Sequence, residues 1–211
     1  MNCLELFSGT GSVGRELKAR GHKVISLDLK GANINCDILK WNYKDSFIEG
    51  EFDYIHASPP CETFSMLRRS WIGRKIKAHG DTIITPEILL KDEVEIGVVI
   101  LNKLLEIIDY FKPTYFTIEN PQTGNMKKYM PIDIKYTDVN YCMYGFPYTK
   151  KTRIWNNFDF NGVLCNKNCG FMENNRHLMD IGGKSWHTKQ TKYRIPPKLV
   201  NSWLDNMGGL T

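Results

Sequence analysis

Four short apolar runs, each ending in small or polar residues, recur at Cys3 to Phe7, Lys23 to Leu27, Phe52 to Ala57 and Thr114 to Ile118, with helix-like segments between them. A chain that alternates in this way is built for a parallel sheet, because every parallel crossover needs a dozen or more residues to return to the starting edge. The expected class is therefore α/β, with a mostly parallel twisted sheet flanked by helices. Ser12 to Arg20 reads as a short first helix stopped by Gly21. Asp92 to Phe111 reads as the long one, with Val94, Val98, Leu101, Leu105 and Ile108 at helical spacing and Pro113 ending it.

After Asn120 the pattern changes. Ile132 to Tyr141 alternates like a strand, TRIWNNF like another, and the stretch from Asn161 to Lys192 is rich in Gly, Asn and Lys. We read residues 156–192 as a small irregular insert within one catalytic domain spanning 1–211. In the closing RIPPKLVNSWLDNM, Pro196 and Pro197 suit a first helical turn, and Leu199, Val200, Trp203 and Leu204 suit a buried face. At 211 residues, 42% hydrophobic and 24% charged, the composition is that of an ordinary globular domain. The scattered cysteines and the strand-like start NCLELF point to a reducing, intracellular compartment (cytoplasm, or nucleus in a eukaryotic host), and the absence of a long apolar run points to a soluble protein.

Gly9, Gly11 and Gly14 form GTGSVG directly after the first strand and at the start of a helix, the context in which a glycine-rich turn lets backbone approach a ligand. Asp28 closes the second strand at the spacing where a carboxylate can hold ribose hydroxyls. Both a nicotinamide dinucleotide and S-adenosylmethionine fit this pattern, and so does turn chemistry without a ligand. Glu5 within the strand, and Phe7 and Ser8 before the first glycine, set LELFSGTG apart from the usual dinucleotide fingerprint, which is apolar up to its first glycine.

FDYIHASPPCETFS places Cys61 just past a strand expected beside the first, with Pro59 and Pro60 stiffening the approach. Such a cysteine is either a small buried filler or a nucleophile. As a nucleophile it can add to carbon 6 of a pyrimidine, giving carbon 5 the enamine character it needs to accept a methyl group. TYFTIENP ends another strand at the same carboxyl edge with Glu119 and Asn120, where a proton-sharing carboxyl could relieve charge developing on the ring nitrogen N3.

In order as well as type, these residues resemble the DNA (cytosine-5) methyltransferase family. LELFSGTGSVG is similar to its cofactor loop, SPPCETFS to its Pro-Cys motif, IENP to its Glu-Asn motif and YGFPYTKKTRIW to the segment supplying a cytosine-contacting arginine, here Arg153. RIPPKLV resembles a degraded form of its C-terminal motif. The resemblance implies a Rossmann-like, S-adenosylmethionine-dependent methyltransferase fold acting on a cytosine flipped out of duplex DNA. It implies Cys61, Glu119 and Arg153 as catalytic residues. Phe7, Ser8, Gly9, Thr10 and Gly11 would wrap the methionyl part of the cofactor, Asp28 its ribose, Asp37 and Ile38 its adenine, with Pro60 alongside. Asn120 would lie at the substrate, and residues 65–84 would form a mobile loop over DNA, bringing Ser65, Arg68 and Arg69 to it. Arg68, Arg69, Arg74, Lys75 and Lys77, and again Lys150, Lys151 and Arg153, make two basic clusters suited to phosphate, within a net charge of +5.

The large recognition region usual after the arginine motif is reduced here to the insert, and Pro121 stands where many relatives have valine. Within the insert Cys165, Cys169 and His177, with His187 or Cys142 as a fourth member, have the residue types of a tetrahedral zinc site, although free thiols and a surface histidine account for the same letters. Cytosine-5 methylation of RNA is the alternative activity, since Pro-Pro-Cys also resembles a branch of the family acting on transfer RNA. A non-catalytic nucleic-acid-binding module and a nicotinamide dehydrogenase are the readings from other classes.

Overall fold

The structure, a computed structural model, describes residues 1–179 and 189–208. Its main sheet has seven strands: β1 (Asn2–Leu6), β2 (Lys23–Asp28), β3 (Ile34–Asn35), β4 (Tyr54–Ala57), β5 (Tyr115–Pro121), β6 (Tyr136–Asn140) and β7 (Lys151–Asn156), in the order β3-β2-β1-β4-β5-β7-β6. β1 to β5 run parallel, and β7 is antiparallel to both its neighbours. This is the mostly parallel α/β sheet expected, with its ligand edge where β1, β4 and β5 end side by side.

Period-2 alternation sorts the strand side chains between two cores. Cys3 and Tyr54 face helix α1 (Ser12–Ala19) and the C-terminal helix α5 (Pro197–Leu204), in a cluster with Val13, Leu17, Leu199 and Trp203. Leu4, Leu6, Ile55 and Ala57 face the opposite side, against Leu101, Leu104, Ile107 and Phe111 of helix α3 (Val99–Phe111). Both faces are thus covered, which is why the parallel strands read as nearly continuous apolar runs.

Two expectations need correction. The long helix is longer and not regular: α2 (Pro86–Asp92) runs into a π-helical stretch, Glu93–Val98, and then α3. The π stretch widens the helical turn, so the buried side is Glu93, Gly97, Leu101, Leu104, Ile107 and Phe111, while Val94 is exposed. The strand expected from Ile132 begins only at Tyr136, because Pro131 to Ile134 is a turn closed by the Ile134 N–H on the Pro131 carbonyl at 3.3 Å, leaving Ile132 fully in solvent.

The insert after β7 contains one two-stranded ribbon, β8 (Met172–Glu173) and β9 (Arg176–His177), turned by Asn174 and Asn175 at positive φ. A five-residue helix, α4 (Lys189–Tyr193), leads to α5. Among the described residues no helix is long and apolar enough to cross a membrane.

Candidate active site

β1 ends at Leu6 and the chain turns at once through Phe7 (φ +56°), Gly9 (φ +49°) and Gly11 (φ +64°) into α1. Glycine permits the left-handed backbone at two of these three positions, and Phe7 adopts it with a side chain. The turn is held from below: the Ser8 N–H donates to the Leu27 carbonyl (3.1 Å) and the Gly9 N–H to Asp28 Oδ2 (2.8 Å). Asp28, whose other oxygen accepts the Leu29 N–H at 2.7 Å, therefore braces the glycine turn. Glu5, buried within β1, accepts the Val13 N–H at 3.1 Å near the start of α1, and its burial raises its pKa above the ordinary carboxylate value. Gly14 is required there, since a β-carbon on it would stand 2.4 Å from the Glu5 carboxylate. Ser8 to Gly11, Glu5, Gly14, Arg15 and Lys18 are among the walls of a cavity of about 340 Å³. A larger hollow of about 500 Å³ behind β6 and β7 includes neither this turn nor the groups described next.

Asp37 caps a single 3₁₀ turn, accepting the Leu39 N–H at 3.0 Å, and Ile38 is packed in the core. Neither lines the cavity.

Cys61 follows β4 in a loop whose entry is fixed by the Ser58 N–H on the Leu6 carbonyl (3.2 Å) and by the Asn120 side-chain amide on the Pro59 carbonyl (3.0 Å). The bond from Asn120 ties the proline brace to β5, next to Glu119. Glu119 is buried and its Oε1 accepts from Lys150 Nζ (3.1 Å) and from the Tyr141 hydroxyl (3.0 Å). Burial pushes the Cys61 thiol above its ordinary pKa; Lys150 opposes that shift and Glu119 adds to it. Thiol, carboxylate and ammonium thus act on one another at the sheet edge. The Tyr141 hydroxyl, buried and hydrogen-bonded to a carboxylate, is held in its protonated form.

The floor of the loop is built from elements remote in sequence. The π stretch lays Gly97 against Thr63 and Phe64, where a β-carbon would stand 2.5 and 2.8 Å from their side chains. Glu93 accepts from the Asn125 amide (2.7 Å) and the Tyr129 hydroxyl (2.9 Å), and the Asn125 N–H closes on the Phe64 carbonyl (2.8 Å). His56, buried in β4, bonds Ser58 Oγ through Nε2 (2.9 Å) and Thr117 Oγ1 through Nδ1 (2.8 Å), and burial lowers its pKa to about 3. At neutral pH it is an uncharged strut. Tyr193 donates to Glu62 at 3.2 Å, next to Cys61 in the chain.

Arg153 is not brought to this cluster. It pairs with Asn120 in the β5–β7 register while Ile154 pairs with Glu119, so its side chain leaves the opposite face of the sheet from Glu119. Its guanidinium makes two bonds to Asp138 (2.7 and 2.8 Å) and stacks on Tyr136 at 3.6 Å. Lys150, three residues earlier, supplies the cation beside Glu119. The motif letters located the cationic segment; the choice within it depended on the strand register, which letters do not carry. Tyr141 gave no signal, being one aromatic in an apolar run.

Residues 65–84 are folded as two 3₁₀ turns, Met66–Trp71 and Lys77–His79, with a bridge between Lys75 and Ile83. Ser65 caps the first turn through Leu67 (3.3 Å). Arg68 departs from expectation: it is buried, paired to Asp92 and stacked toward Trp71, and is not presented for phosphate. Arg69, Arg74, Lys75 and Lys77 are exposed. In the insert, Cys142, Cys165, Cys169 and His177 gather with all ligand atoms within 4.8 Å of one another. His187 lies outside the described residues.

Comparison with known proteins gives three results. A protein of Frog virus 3 (isolate Goorha) named "Probable DNA (cytosine-5)-methyltransferase" is 37% identical over 97% of this chain and 99% of its own. The family profile of D12 class N6 adenine-specific DNA methyltransferases matches residues 2–110. Among solved structures, a prophage-encoded E. coli protein described as a DNA modification methyltransferase (17% identity, TM-score 0.48) and Spodoptera frugiperda DNMT2 (16%, 0.44) each align with 74% of this chain. The chain spans 46% and 49% of those two.

Proposed function

This chain belongs to the DNA (cytosine-5)-methyltransferase family, and from that premise we propose that it methylates carbon 5 of cytosine in DNA, with Cys61 as covalent nucleophile and S-adenosylmethionine as methyl donor. The observation that carries the reading is the geometry at the carboxyl edge of the sheet, where the buried Glu119 is paired with Lys150 (3.1 Å) and its neighbour Asn120 is tied to Pro59 of the Cys61 loop (3.0 Å), on strands beside the glycine turn.

The cavity at that turn fits an adenosylated cation. Its walls include open backbone at Gly9 and Gly11, the buried Glu5 carboxylate, available to a sulfonium or ammonium group, and Arg15 and Lys18, available to the carboxylate of a methionyl group. Phe7 to Gly11 would hold the methionyl part. Asp28 would reach the ribose with lone pairs not used on Gly9 and Leu29, whereas Asp37 and Ile38, which do not line the cavity, have no part in this reading. When bound, the donor supplies an electrophilic methyl group on sulfur.

The chain's own residues do the rest. Asn120 and the two prolines hold Cys61 in one position. Its sulfur adds to carbon 6 of the base, and the negative charge that reaches N3 is met by Glu119, which shares a proton there and accepts from the exocyclic amine. Lys150 and Tyr141 keep the carboxyl oriented. Once carbon 5 carries the methyl group, loss of its proton and expulsion of the Cys61 thiolate restore the aromatic ring. Burial favours the protonated thiol at rest, so in this reading its proton passes to the Glu119 carboxylate, which shares it with N3 as sulfur adds to carbon 6, and the proton lost from carbon 5 goes to water.

The match to N6 adenine-specific enzymes favours a second reading, methylation of an exocyclic amine. That match covers the glycine turn and Cys61 but stops before Glu119, Tyr141 and Lys150. An exocyclic amine has no need of covalent activation, so a half-buried thiol at the same sheet edge as a buried carboxylate favours carbon methylation. Nucleoside mass spectrometry of duplex DNA and of transfer RNA treated with the protein and S-adenosylmethionine separates the readings. We expect 5-methylcytosine in DNA, abolished in Cys61→Ala. N6-methyladenine, or methylation of RNA alone, would overturn the assignment.

A further inference from the structure

We infer that Cys142, Cys165, Cys169 and His177 bind one structural zinc ion that fastens the insert to the turn carrying Tyr141. The four come from two parts of the chain. Cys142 is buried in the 3₁₀ turn Tyr141–Tyr144, directly after β6, and the other three belong to the insert. Zn–S bonds of about 2.3 Å and a Zn–N bond of about 2.0 Å put tetrahedral ligand atoms roughly 3.5–3.8 Å apart. Cys165 Sγ and His177 Nε2 are 3.5 Å apart, and all four ligand atoms fall within 4.8 Å of one another, a cage that closes on an ion with small side-chain rotations. Three sulfurs and an imidazole select zinc over harder cations such as magnesium or calcium. The cysteines are free thiols, not a disulfide pair.

The backbone around the ligands is arranged as a wrap. Lys167, between the two insert cysteines, takes φ +71°, Gly170 takes φ +77°, and the Lys167 N–H donates to Cys165 Sγ at 3.3 Å. A non-glycine residue in the left-handed region needs a surrounding that fixes it there. Packing does not provide one: from 161 to 179 no residue is buried, and Val163, Leu164 and Leu178 are exposed. A two-residue ribbon with no core beneath it is not stable alone. The insert's attachments include the Val163 N–H on the Tyr144 hydroxyl (3.0 Å), the Asn140 N–H on the Val163 carbonyl (3.1 Å) and the Cys165 N–H on Asn140 Oδ1 (3.1 Å), at the end of β6 and the turn after it, and a bridge from Met179 to Tyr148. An ion bound to Cys142 would lock that turn, and Tyr141 of the turn donates to Glu119.

The test is metal analysis of full-length protein made in zinc-supplemented cells and purified under thiol reductant without chelator. We expect about one zinc per chain in the wild type and in Cys36→Ser, a thiol outside the cluster, and less than about a tenth in Cys165→Ser/Cys169→Ser. In the wild type, a mercurial thiol reagent should release the zinc in step with loss of three thiols, which keeps the test valid where the double variant does not fold. Chelation should also increase backbone hydrogen exchange over 161–179 while leaving α3 unchanged. Wild-type zinc below about a tenth of an equivalent, equal zinc in wild type and double variant, or release without consumption of thiols would overturn the proposal.

Discussion

The resting state of Cys61 is set by influences that do not agree, with Glu62 acting in the same sense as Glu119. Burial favours the neutral thiol and is the largest influence, Glu119 adds to it, and Lys150 favours the thiolate. As the nucleophile proposed, a thiol neutral at rest is less open to adventitious alkylation than a thiolate, and needs a proton acceptor during attack. The signs give a direct prediction. The pH midpoint for iodoacetamide labelling of Cys61 lies above the free-thiol value of about 8.5. It moves higher in Lys150→Gln and lower in Glu119→Gln, read by peptide mass spectrometry. A wild-type midpoint below the free value would contradict the burial argument. Lys150→Gln should also reduce kcat by about 10²-fold, the scale of losing one oriented electrostatic partner, whereas Arg153→Gln should act mainly through stability because its guanidinium is committed to Asp138.

At the scale of elements, the site depends on a helix that never touches it by sequence proximity. The π stretch places Gly97 under Phe64 and Glu93 under Asn125, and these support the loop after Cys61. Gly97→Ala should therefore cost about 1–3 kcal/mol in denaturant unfolding, since the ring of Phe64 has no room to yield. It should lower kcat as well, while an exposed control such as Val94→Ala, one turn away, leaves both unchanged. The same stretch marks what the sequence could and could not disclose. The strands ending at Leu6, Asp28, Ala57 and Pro121 were legible because doubly buried parallel strands are apolar from end to end and stop at loop residues. The helix was legible, and with it Leu101 and the flanking Val98, Leu105 and Ile108 that pack on the core; the misplaced Val94 and the missed Glu93 and Gly97 lie where one widened turn replaces a regular 3.6-residue period. Cys61, Glu119 and Asn120 were legible as strand-end residues of one edge; Lys150 and Tyr141 were not, because their place follows from how β7 pairs with β5 and from a turn with no motif of its own.

The whole molecule is a parallel sheet whose carboxyl edge brings a glycine turn, a proline-braced thiol and a buried carboxylate into neighbouring positions, with β6, β7 and a small insert closing one side. Exposed Arg69, Arg74, Lys75 and Lys77 lie in the segment following the thiol loop, where they are available to phosphate while Arg68 secures that segment to Asp92. The function proposed for this arrangement rests on one bond, sulfur to carbon 6 of a cytosine. Duplex DNA containing 5-fluorocytosine blocks release after methyl transfer, because the fluorine cannot leave as the proton does. Digestion of the trapped complex and peptide mass spectrometry should find the base on Cys61 in the wild type and no complex in Cys61→Ala. A complex that persists in Cys61→Ala, or a base attached to another residue, would contradict the account.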